Sequence, residues 1–175
     1  MAKLVILAVM ASLVLGGCGH RKVGLLKSSR PDSTDTNKSL AVRKRPNDCD
    51  SSLWLHVWEP SRLKIIELCI TVTGIITKVK ADEDGDSHMR LRLDEGQENL
   101  LNEGNMEDKK GELVLEIVCA NEIQKDKARK PCEGYINGIK IPKVSDHVRV
   151  TGSYVMDTHN DWMEIHPVSK VEIIE

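Results

Sequence analysis

The chain has 175 residues, 40% of them hydrophobic, with no Phe, three Trp and two Tyr. It can therefore bury one ordinary domain with an aliphatic core, and it leaves no room for two full domains. The net charge of −2 conceals a split: residues 19–48 carry eight Lys/Arg against three Asp, whereas residues 49–175 carry 16 basic and 24 acidic side chains. That acidic balance argues against a nucleic-acid binder, because such binding is dominated by phosphate neutralisation.

Met1-Ala2-Lys3 sets one cation ahead of an apolar run from Leu4 to Leu15, followed by Gly16 and Gly17. This is the order of a signal peptide, and the run is too short to span a bilayer, which takes about 20 residues. Leu15-Gly16-Gly17-Cys18 resembles the lipobox of bacterial lipoproteins. The resemblance implies removal of residues 1–17, a diacylglycerol on the Cys18 sulfur and acylation of the new amine. Several acyl chains anchor firmly, since each buried methylene contributes about 0.8 kcal/mol. Gly19, not Asp, follows the cysteine, which resembles lipoproteins sent on to the outer membrane where a cell has one. The expected location is the cell envelope, on the extracytoplasmic side, with the membrane as first partner. Residues 18–48 form the lipidated start and a polar segment without apolar periodicity, read as a flexible basic tether. Near anionic headgroups each of its basic side chains adds about 1 kcal/mol.

Five cysteines is an odd number for an exported protein, but assigning Cys18 to lipid leaves Cys49, Cys69, Cys119 and Cys132. Four cysteines in an oxidising compartment allow three pairings. Cys119–Cys132 with Cys49–Cys69 is preferred, the first closing a loop of about 14 residues worth about 3 kcal/mol in chain entropy. No Cys-x-x-Cys pair occurs, which argues against a thiolate zinc site.

The domain is expected over residues 49–175. Pro60 forbids one continuous element over residues 53–66 and points to a turn that lays apolar residues on the barrel edge. Residues 67–80 are β-branched, with Gly74 marking a bend where one strand serves two neighbours. After the acidic turn 82–86, residues 87–93 alternate, with Met89, Leu91 and Leu93 opposite His88, Arg90 and Arg92. The turn does not match a calcium-binding EF-hand loop: its Gly stands fourth, and Leu93 occupies the twelfth place, where Glu is required. Residues 94–110 read as a loop anchored by Leu100-Leu101. A third strand covers 111–120, a short helix 121–130, a fourth strand 145–156 and a fifth 162–174, the last interrupted by Pro167. This order resembles the OB-fold, a mainly β, five-stranded Greek-key barrel.

The segment from Asp157 to Val168 concentrates the candidate chemistry. Alternation puts Trp162, Glu164 and His166 on one face, with His159 in the turn before them and His88 near if the barrel closes. His and Glu on a shared face suit a divalent metal or an acid–base pair. The tract Trp162-x-Glu164-Ile165-His166-Pro167-Val168, with Val148-x-Val150-x-Gly152-x-Tyr154 before it, resembles a signature of small secreted prokaryotic proteins of OB-like form. The resemblance implies fold and compartment, and it transfers no catalytic residue. The expected role is a lipid-anchored binding module whose Trp162/Glu164/His166 face meets an envelope protein, a glycan or an ion. The alternative is a metal-dependent hydrolase using His88, His159, Glu164 and His166.

Overall fold

The computed structural model describes residues 49–174. The signal peptide, Cys18 and the tether expected over residues 1–48 lie outside the described residues. The described chain is mainly β: β1 (Leu63–Ala81), β2 (Ser87–Leu93), β3 (Leu113–Ile117), β4 (His147–Asp157) and β5 (Trp162–Ile173) pair in the closed order β1-β2-β3-β5-β4. All pairings are antiparallel except β3 with β5, which is parallel. This is the OB-like Greek-key ring expected from the sequence. Among the described residues, no helix is long and apolar enough to cross a membrane.

One strand closes the ring by bending. β1 pairs with β4 along most of its length and with β2 from Gly74 onward, and Gly74 itself faces both Leu93 and Val148. A Cβ at residue 74 would collide with the Arg92 carbonyl, so the bend needs a residue without a side chain. Inside the ring, Val72, Ile76, Met89, Leu91, Leu113, Leu115, Ile117, Val150 and Ile165 form an aliphatic core, as the lack of Phe requires. A smaller cluster outside the ring joins Leu53, Val57 and Leu63 to Val118 and Val155. It packs two 3-10 turns, Ser51–His56 and Pro60–Arg62, against the barrel. The disulfides are Cys49–Cys69 and Cys119–Cys132, with Cα separations of 5.7 and 5.5 Å.

The helix lies elsewhere than expected. Residues 121–130 do not form one: they contain the 3-10 turn Asp126–Ala128, and a second, Lys130–Cys132, follows. Their backbone donors are spent on the acidic turn instead, Asn121 N–H on Gly85 O and the Gln124 and Lys125 N–H groups on Glu83 O. The α-helix is α1 (Glu103–Asp108), inside the expected loop. Asn102 and Asn105 cap it reciprocally, each side chain accepting from the other's backbone N–H. Asn105, fully buried, also donates to the carbonyls of Glu112 and Met163 and accepts from Met163 N–H. Pro167 does not interrupt β5. The strand passes through it beside a register shift at Gly152, where the ladder asks nothing of the proline nitrogen.

Asn105→Ala removes three tertiary hydrogen bonds and one cap, leaving buried backbone groups unpaired. It should cost about 3 kcal/mol in urea-induced unfolding with an unchanged m-value. An exposed-face control, Glu107→Ala, should stay within about 0.5 kcal/mol.

Candidate functional site

The outward side chains of β2, β3 and β5 meet on one flank of the barrel. Register places His88 opposite Glu116 and sets Val114 beside Glu164. Along β5, Met163 and Ile165 point into the core, so Glu164 and His166 point out of it. The segment before β1, the turn between β1 and β2 and the turn between β4 and β5 frame a cleft of about 440 Å3 on this flank. Trp58, Glu59 and Arg62 line it from the first, Asp82 and Asp84 from the second, and His159, Asn160 and Trp162 from the third. His88, Glu116 and Lys125 complete the lining.

The sequence-derived candidates divide between two levels. His88, His159 and Trp162 line the cleft, with the His88 and Trp162 rings 6.5 Å apart. Glu164 and His166 do not line it and are fully buried. They are joined to each other, His166 Nδ1 lying 3.0 Å from Glu164 Oε1, and to the cleft through two intermediaries. Trp162 Nε1–H donates to Glu164 Oε2 at 2.9 Å, and Glu116 Oε2 lies 3.0 Å from His166 Nδ1. The four side chains expected of a hydrolase thus do not share one open site, because β5 alternation sends Glu164 and His166 under the residues that cover the flank.

Four residues of this region were given no site role in the sequence. Glu116 interrupts the apolar run of β3, and a lone carboxylate there was a readable signal. Asp86 closes the acidic turn but is buried, its Oδ1 accepting from Cys119 N–H at 2.8 Å. Asp157 organises the last turn, accepting from the His159 and Asn160 N–H groups and from Asn160 Nδ2. Arg62 is ion-paired to Asp157 and lies 3.8 Å from Glu116. Nothing in the sequence joined residues 62 and 157, which meet only because β1 pairs with β4.

Burial and crowding set the protonation of the group. Burial pushes the Asp86 carboxyl up to about 7, although His166 opposes it. Burial likewise pushes Glu116 up to about 8 against the pull of His166. For His166, burial disfavours the cation, but Glu116 and Glu164 outweigh it and raise the imidazole to about 9. The three groups share protons as one network. Burial holds His88 below the usual histidine range despite Glu164 and Asp82. Two rings of the cleft already carry ammonium groups: Lys109 Nζ sits 3.3 Å from the centre of Trp162, and Lys125 Nζ 3.8 Å from that of Trp58.

Asp86, Glu116 and His166 each bind a proton more tightly folded than unfolded. Such groups contribute stability that is complete below the unfolded pKa and is lost as pH climbs through the folded one. In a chelator-containing buffer, thermal unfolding should therefore show stability declining from the ordinary carboxylate range to about pH 9. The double variant Asp86→Asn/Glu116→Gln should flatten that decline. No family model and no curated protein matches this chain, so its role is argued from geometry.

Proposed function

We propose that the chain is a membrane-anchored lipoprotein of the cell envelope, acylated at Cys18, whose barrel is a binding module for a positively charged segment of an envelope protein. The carrying observation is the composition of the cleft: Glu59, Asp82 and Asp84 line it beside two tryptophans whose faces already hold the protein's own lysines. A ring face that accepts Lys109 or Lys125 offers the same attraction to an incoming ammonium or guanidinium. The excess of acidic side chains over residues 49–175 would draw a basic partner in at long range. By analogy, OB-type barrels use the strand 2–3 face and the two flanking loops, here residues 82–86 and 158–161, to hold ligands. The even set of four cysteines, bonded in two pairs, supports an oxidising compartment.

Titration of the full-length protein with a short Lys/Arg-rich peptide, followed by tryptophan indole N–H resonances, tests the cleft. Two perturbed indoles belonging to Trp58 and Trp162 are expected, with affinity falling as salt rises. Asp82→Asn/Asp84→Asn should weaken binding about tenfold, the equivalent of about 1.4 kcal/mol. Silent indoles, or stronger binding of an acidic glycan, would refute the reading. Intact mass spectrometry of the membrane fraction tests the anchor: the wild type should carry acyl mass on Cys18 with residues 1–17 removed, and Cys18→Ser should leave the membrane fraction.

A further inference from the structure

Behind the cleft lies a set of side chains that the binding of a cationic segment does not use. Asp86 at the entry to β2, Glu116 on β3 and His166 on β5 each place one ligand-type atom within 4.8 Å of the other two, and all three are buried. Asp86 is also close to Cys119 and Cys132, but both sulfurs are spent in the disulfide and are not free thiolates.

The histidine is prepared in a specific way. Its Nδ1 is hydrogen-bonded to Glu164 Oε1 at 3.0 Å, which places a proton on this nitrogen, and Glu116 Oε2 lies 3.0 Å from it outside that hydrogen bond. Nε2 is buried and has no hydrogen-bond partner. Metal-binding histidines are commonly oriented in this manner, a carboxylate holding one ring N–H so that the other nitrogen presents its lone pair. Glu164, which is held in turn by Trp162 Nε1, supplies that carboxylate.

Charge points the same way. Asp86, Glu116, Asp157 and Glu164 are four buried carboxylates, and the groups of opposite sign near them are the Arg62 guanidinium and the imidazoles of His166 and of His88, the latter 3.7 Å from Glu116. Buried carboxylates are tolerated when they are protonated, paired or bound to a metal. A divalent cation between Asp86 and Glu116 would compensate both carboxylates.

We infer that Asp86, Glu116 and His166 form a binding site for a first-row divalent metal, Zn2+ foremost, with Glu164 as the positioning residue that orients His166. One imidazole with two carboxylates is a mixed nitrogen/oxygen set of the kind zinc accepts, with fewer oxygens than calcium requires. Glu116 borders the cleft, which gives the ion a route from solvent. The inference goes beyond the cleft reading: Asp86 and His166 are not cleft residues, and neither site's failure entails the other's.

The test uses chelator-stripped full-length protein, titrated with Zn2+ by calorimetry and with Co2+ by visible absorption, with no peptide present. The expected result is one ion per chain, release of protons on binding and ligand-field bands from the bound Co2+. Glu116→Gln and Asp86→Asn, which keep side-chain volume, should each lose tenfold or more in affinity, and Glu164→Gln should lose 10- to 100-fold through misorientation of His166. Glu107→Ala, on the exposed face of α1 and outside the cleft, should bind as the wild type does. Circular dichroism of each metal-free variant shows whether it is folded. If a variant is not, the wild type decides: Zn2+ should raise its Tm in a concentration-dependent way while Ca2+ at the same concentration does not. Absence of stoichiometric Zn2+, equal binding of Ca2+, or affinity untouched in folded Asp86→Asn and Glu116→Gln would overturn the inference.

Discussion

The structure turns on keeping acidic groups out of water on the outer wall of a barrel. Glu116, Glu164 and His166 sit where an OB-like ring would ordinarily show its surface, yet all three are buried. They are held there by the imidazole between both carboxylates, by the Trp162 indole N–H on Glu164 and by Arg62, which reaches in from the segment before β1. The rest of the cover follows from that requirement. The 3-10 turn Pro60–Arg62 has to be packed by Leu53, Val57 and Leu63 to present Arg62, and Asp157 has to hold both Arg62 and the turn 158–161. The cleft is the space that remains between these covering pieces.

Seen this way, the two levels of the flank share parts but carry different loads. The upper level lines an open cleft with aromatic, acidic and basic side chains, which suits a partner that arrives and leaves. Those of the lower level are dry, mutually bonded and tuned by burial, which suits a group that stays. Glu116 and Trp162 belong to both, one touching His166 and the other Glu164. Occupancy of one level can therefore be felt at the other without movement of the barrel itself.

Much of the fold was legible because it rests on local rules. Strict alternation over Ser87–Leu93 gave β2 with its true bounds, and Gly74 announced the bend in β1. What failed was whatever depended on distant partners. Residues 121–130 carry a helix-compatible composition, but their donors are claimed by Gly85 and Glu83. Glu103–Asp108 looked like loop, and it is helical because Asn105 finds carbonyls on β3's approach and on β5. The candidate site divides along the same line. Glu164, His166 and Trp162 were found through their spacing on one strand, and His88 through a guess at closure. Asp86 was seen only as part of an acidic turn, Asp157 only as the head of the candidate segment, and Arg62 not at all, since the contact between Arg62 and Asp157 is made across the β1–β4 seam.

The Cys49–Cys69 bond bears on mechanics as well as on stability. Cys49 opens the described chain, and Cys69 lies within β1, the longest strand. A pull arriving from the preceding chain, with a partner gripping the cleft, would pass through sulfur directly into the ring. The stretch from Ser51 to Arg62 would hang slack on that load path. Tension between the preceding chain and the barrel would then be borne by covalent bonds and ladder hydrogen bonds, sparing the small apolar cluster that keeps Arg62 in place.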